Sequence, residues 1–274
     1  MGYKTLLVHA EADPDAAPRL ASAAALAQRL DATLLGLGAE MYDWMAVSDP
    51  YGFAAPDWTE VVRRQVDLDL ETAERQFRKA AAAVPHDWAI SHEAPALALA
   101  RMARSADLII AGGAPLDGAA SLRAADTADL IMTCGRPVLV APPNGGELRA
   151  KRVVVAWKDG REARRAVADA MPFLKHAEEV VVMATCDAQD LEDAEAATAA
   201  VARHLTSHGV TARASARIAP ADRVCTELNI EAQARGADLI VAGAYGHSRV
   251  REWMLGGVTH TLLHKPERFV LFSH

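Results

Sequence analysis

The chain has 274 residues, enough for two domains that each bury a core. Half of it is apolar (51%) and 24% is charged, which excludes a disordered chain. The formal net charge of −7, with basic residues scattered among a larger number of acids, excludes a broad nucleic-acid footprint.

The three cysteines, Cys134, Cys186 and Cys225, are odd in number and form no Cys-x-x-Cys pair. A disulfide framework is not expected, and a reducing compartment fits. The opening MGYKTLLVHAEADP is too short an apolar run for a signal segment, and no run reaches membrane-spanning length. The expectation is a cytoplasmic protein that binds neither membrane nor nucleic acid.

In chain order, the first half reads as strands at 4–10, 33–38, 87–91, 107–111 and 138–140. Runs such as LLVHA and DLIIAG lack polar alternation, as in a parallel sheet covered on both faces. Between them, Val62, Val66, Leu70, Ala73, Phe77, Ala80 and Val84 form one helical stripe. His9, Glu11 and Asp13 at the tip of the first strand read as a helix-entry turn with cap residues. Residues 39–58, AEMYDWMAVSDPYGFAAPDW, interrupt the pattern, either as a lid over a ligand or as a cover for apolar surface. Asp126 reads as a helix cap.

APPNGGELRA (141–150) marks a break in regular structure. The second half then supplies strands at 152–157, 180–185, 212–218, 238–242 and 269–272, with a helical stripe at Leu191, Ala194, Thr198, Val201 and Leu205. Residues 103–112 read ARSADLIIAG and residues 234–243 read ARGADLIVAG. Each copy is preceded by a strand-like run and a proline, Pro95 and Pro220, so the chain is read as a tandem duplication. The predicted fold class is α/β: two tandem doubly wound five-stranded parallel-sheet domains, 1–143 and 150–274. The short last strand of each half is a natural edge for pairing with protein partners.

After strand 238–242 comes Gly243-Ala-Tyr-Gly246-His-Ser-Arg249-Val-Arg-Glu-Trp-Met-Leu-Gly256-Gly257-Val-Thr259. Glycines let backbone N–H groups approach an anion, and a helix starting near Gly257 would add its positive dipole end. Thr259 could add a hydroxyl and Arg249 a charge. The alternative is that these glycines make tight turns at the sheet edge.

The spacing Gly-x2-Gly-x9-Gly, together with the closing LGGVTHTLLHKPERFVLFSH, resembles the universal stress protein family over essentially the whole chain, taken as two copies. The resemblance implies that family's fold, akin to adenine nucleotide alpha hydrolases. It also implies an ATP or other adenine-nucleotide site, with Mg, in the C-terminal half that acts as a regulatory switch. Gly243, Gly246, Gly256, Gly257, Thr259 and Arg249 would meet phosphate, and Trp157, Lys158 and Asp159 would lie near base or ribose. The sequence departs from the family pattern at Gly257, where Ser or Thr is expected, and at Lys158, which takes the place of an Asp. In the first half, Ala125-Asp126 replaces the later glycine pair, making that copy degenerate.

No catalytic residues are assigned. Walker A, nucleophile-elbow and Gly-x-Gly-x-x-Gly strings are missing, so any turnover would be at most slow ATP hydrolysis. The pairs His204/His208 and His260/His264 have a two-His spacing but no third ligand, so no metal site is assigned. The alternative function is a nucleotide-independent protein-interaction or self-association module of the same fold.

Overall fold

The computed structural model describes residues 2–13, 16–42, 56–113, 122–244, 257–264 and 266–274. The first half runs β1 (Thr5–Ala10), α1 (Ala16–Leu30), β2 (Thr33–Ala39), α2 (Pro56–Ala80), β3 (His86–Ser91), α3 (Pro95–Met102), β4 (Leu108–Ala111), α4 (Thr127–Thr133) and β5 (Val138–Val140). The second half repeats the order with β6 (Arg152–Ala156), α5 (Arg161–Leu174), β7 (Glu179–Cys186), α6 (Leu191–Ser207), β8 (Ala212–Ile218), α7 (Val224–Arg235), β9 (Leu239–Gly243), α8 (Gly257–His264) and β10 (Phe269–Ser273). All ten predicted strands are present, with ends within about two residues of the apolar runs. None of the described helices is long and apolar enough to cross a membrane.

The chain divides into two compact units. One holds residues 3–134 with 143–146, and the other holds 135–142 with 147–274 and the first two residues. In the first, parallel strands lie in the order β3-β2-β1-β4. In the second, the order is β5-β10-β9-β6-β7-β8, and β5 alone is antiparallel. The last strand of the second half, β10, is therefore not a free edge. Val138, Leu139 and Val140 pair with Phe272, Leu271 and Val270, while the other side of β10 is taken by β9. Pairing β10 on both sides removes the unpaired backbone that an edge would expose. The fifth strand of the first half thus lies in the second compact unit.

The core follows the predicted stripes. Val66, Leu70, Ala73 and Phe77 on α2 are buried. Phe77 meets Trp88 and His86 of β3, with ring centroids 5.3 and 5.7 Å apart. Glycine makes room for this ring: a Cβ on Gly36 of β2 would lie 2.7 Å from Phe77, and one on Gly38 would lie 2.8 Å from Trp88. In the second half, Thr198, Ala202 and Leu205 are the buried face of α6, and Thr198 returns its hydroxyl to the Ala194 carbonyl at 2.8 Å.

The repeated Ala-Asp-Leu-Ile string has a shared task. Asp107 Oδ2 accepts the backbone N–H groups of Lys4 and Thr5 at 2.8 and 3.0 Å. Asp238 accepts those of Arg149 and Ala150 at 2.6 and 3.0 Å. Each aspartate, just before the fourth strand of its half, holds the segment that leads into the first strand. Replacing Asp238 by Ala strands two amides that were bonded to a charged acceptor. The expected loss is about 1–3 kcal/mol, read as a lower urea midpoint at unchanged slope. A separate test addresses the aromatic pocket. Gly36→Val drives a methyl-bearing carbon into the Phe77 ring and should cost about 1–3 kcal/mol, whereas Gly2→Ala, where nothing lies within 4 Å, should leave the midpoint alone.

Candidate functional site

In a doubly wound sheet, the crevice opens at the carboxyl ends of the strands where the strand order reverses. In the second half that point lies between β6 and β9, whose Ala156 and Ala242 are register partners. One residue further along lie Trp157 and Gly243, and Lys158 and Asp159 follow on the β6 side. The structure thus brings Gly243, Trp157, Lys158 and Asp159 together at one tip. Gly257 and Thr259 open α8, and Thr259 is buried. Gly246, Arg249 and Gly256 lie outside the described residues.

Each described residue has its own setting. The Trp157 backbone N–H bonds to the Met183 carbonyl at 2.7 Å, and its indole N–H is buried without a hydrogen-bond partner among the described residues. Lys158 is exposed and has no ion-pair partner among the described residues. Asp159 is exposed, and its carboxylate takes a 2.7 Å hydrogen bond from Arg164. Gly243 is needed for packing. A Cβ there would stand 2.5 Å from the Ala163 backbone nitrogen and 2.6 Å from the Glu162 carbonyl carbon, so the first turn of α5 rests directly on this residue. Glu162, which the sequence reading missed, sits in that turn with a buried side chain. Burial pushes its carboxyl up, but Arg161, its own backbone N–H and the charge of His274 hold it below the usual range. Its position in a helical first turn also favours the anion. His274 Nδ1 in turn lies 3.0 Å from the Ala244 carbonyl oxygen.

The histidine pairs prove to be ring contacts. His260 and His264 stack with centroids 3.9 Å apart, and His204 meets His208 edge-on at 4.8 Å. Among the described residues, no three His, Cys, Asp or Glu side chains are grouped to hold a metal ion.

The first half places a cavity of about 400 Å³ at the corresponding end of its sheet, lined by Glu11, Asp13, Asp69, Thr72 and Arg123. Its wall is a web of ion pairs. Arg123 binds Glu40 at 2.7 Å and also pairs with Asp69. The backbone joins in, with Met41 N–H donating to the Leu122 carbonyl at 3.1 Å. Burial raises the Glu40 carboxyl more than Arg123 lowers it, and the Asp69 charge adds to the rise. Asp126 caps α4, accepting from the Asp129 N–H at 3.0 Å.

Glu11 is not the cap residue expected from sequence. Its Oε1 lies 2.9 Å from Nδ1 of the fully buried His9 and 3.3 Å from Arg19 Nη2. The His9 approach is close but not aligned as a hydrogen bond, since neither ring nitrogen has a hydrogen-bond partner among the described residues. Burial alone would raise the Glu11 carboxyl; His9 and then Arg19 bring it down to about 2. A carboxyl lowered on folding stabilises the fold above its unfolded value of 4.5, and that support drains away as pH falls toward 2. The shift corresponds to on the order of 3 kcal/mol. Wild type should therefore lose stability more steeply than Glu11→Gln between pH 5 and 2.5, measured by urea midpoints at each pH.

No family model matches the sequence, and no curated protein matches it. Solved structures do. A universal stress protein from Archaeoglobus fulgidus DSM 4304 superposes with a TM-score of 0.69 at 11% identity, covering 98% of this chain and 95% of that one. A functionally unknown protein from Pseudomonas aeruginosa PAO1 superposes with a TM-score of 0.60 at 16% identity, covering 99% and 92%. Both similarities run the full length of the chain, through both copies of the βα pattern. The chain has the tandem universal stress protein fold.

Proposed function

We propose that the chain is a cytoplasmic stress-response protein whose C-terminal half binds an adenine nucleotide reversibly and acts as a regulatory switch. The observation that carries this reading is the β6–β9 register, which sets Trp157, Lys158 and Asp159 beside Gly243 where the strand order reverses. The indole N–H of Trp157, without a hydrogen-bond partner among the described residues, is a buried donor at the same tip. The Gly246, Gly256 and Gly257 amides and the Thr259 hydroxyl are assigned to phosphate, with Arg249 as a further charge. The duplicated halves are taken as 1–143 and 150–274.

A specific observation favours a second reading, in which the fold is a nucleotide-independent interaction module. The contact of Gly243 with the α5 backbone gives that glycine a packing role with no ligand. Isothermal titration separates the two readings. ATP should bind the wild-type chain with one site per chain, and Gly246→Val should abolish the heat. Purified protein should also release nucleotide absorbing near 260 nm on denaturation if it co-purifies. No heat and no thermal shift with millimolar ATP, in buffer with or without magnesium, would leave the interaction module as the function.

A further inference from the structure

Resting on that nucleotide reading, we infer that the crevice takes its nucleotide without a divalent cation, and that Lys158 supplies the countercharge to phosphate. Magnesium demands near-octahedral oxygen ligation and is ordinarily held by one or two carboxylates together with substrate phosphates. The β6–α5 tip offers two carboxylates, Asp159 and Glu162. Both are already committed to guanidinium groups, Asp159 to Arg164 at 2.7 Å and Glu162 to Arg161. Glu162 is further held by its own backbone N–H at the start of α5. A metal would have to displace Arg161 from the buried Glu162 carboxylate, and it would face the Lys158 ammonium as well.

The charges at the tip pair off as Asp159 with Arg164 and Glu162 with Arg161. Lys158 is the cation left over among them. It is exposed, and it directly follows the buried Trp157 on the strand that borders Gly243. An ammonium on a flexible stem is a point charge that can meet a phosphate without fixed geometry. That suits a terminal phosphate better than the base, so at this position a charge contact stands where the family pattern has an Asp.

The test titrates the full chain with ATP and with adenosine, in EDTA and in excess magnesium, for wild type, Lys158→Gln and Lys158→Arg. ATP should bind at least as tightly in EDTA as in magnesium. Lys158→Gln should weaken ATP by roughly tenfold while leaving adenosine unchanged, and Lys158→Arg should keep most of the affinity. Because Lys158 makes no ion pair among the described residues, all three proteins should share one melting temperature. ATP binding that collapses in EDTA, or that is the same in wild type and Lys158→Gln, overturns this inference and leaves the nucleotide reading standing. No binding of either ligand in either buffer overturns both.

Discussion

An aspartate carboxylate sets the alignment of each half. Parallel strands joined by long crossovers have no hairpin turn to fix their register. Here Asp107 holds the Lys4 and Thr5 amides, and Asp238 holds those of Arg149 and Ala150, at the point where the first strand begins beside the fourth. The register then follows: Leu6 opposite Leu108 in one half and Val153 opposite Leu239 in the other. Because side chains alternate between faces, a slip of one residue would reverse every side chain of the strand. It would also move the far tips, where the crevice residues sit, by about 3.3 Å along the strand.

From that common frame the two halves diverge in charge. The first half fills its strand tips with paired charges: Glu11 with Arg19, beside the buried His9 ring, and Arg123 with Glu40 and Asp69. Removing one member of such a partly buried pair leaves a charge uncompensated, so these pairs hold the tip in one arrangement. At the β6–α5 tip, the second half satisfies its carboxylates locally, within α5 and the turn before it, and keeps a lysine outside those pairs.

Much of the fold was legible because strands buried on both faces leave unbroken apolar runs, and because the helical stripe from Val62 to Val84 has one period throughout. What escaped the sequence were contacts between distant segments. The pairing of Val138–Val140 with β10 could not be read, since short apolar strands carry no mark of their neighbour. Asp107 and Asp238 were visible as a repeat but not as acceptors, because their amide partners lie 102 or more residues away in one half and 88 or more in the other. Glu11 was taken for a turn residue because its buried partner Arg19 lies on the next helix, and sequence does not say which way a polar tip points. Arg123 went unnoticed for the same reason. The Asp126 cap, a purely local interaction, was read correctly.

The glycine that ends the fourth strand shows why motif spacing by itself cannot separate a ligand site from a tight fold. Gly243 is required because the α5 backbone presses on it, whereas Gly112 meets only the end of the Arg19 side chain, 2.6 Å from where a Cβ would stand. Close packing therefore accounts for the glycine of the second half whether or not an anion is bound. The discriminating feature is the charge that the surrounding residues leave unspent. Arg19 and Arg123 are consumed by Glu11, Glu40 and Asp69 in the first half, whereas Lys158 remains outside the pairs of the second. An anion entering the first crevice would have to compete with carboxylates already in place. In the second it would meet a cation that no other described group has claimed, and that asymmetry is why the proposed ligand is sought in the C-terminal half.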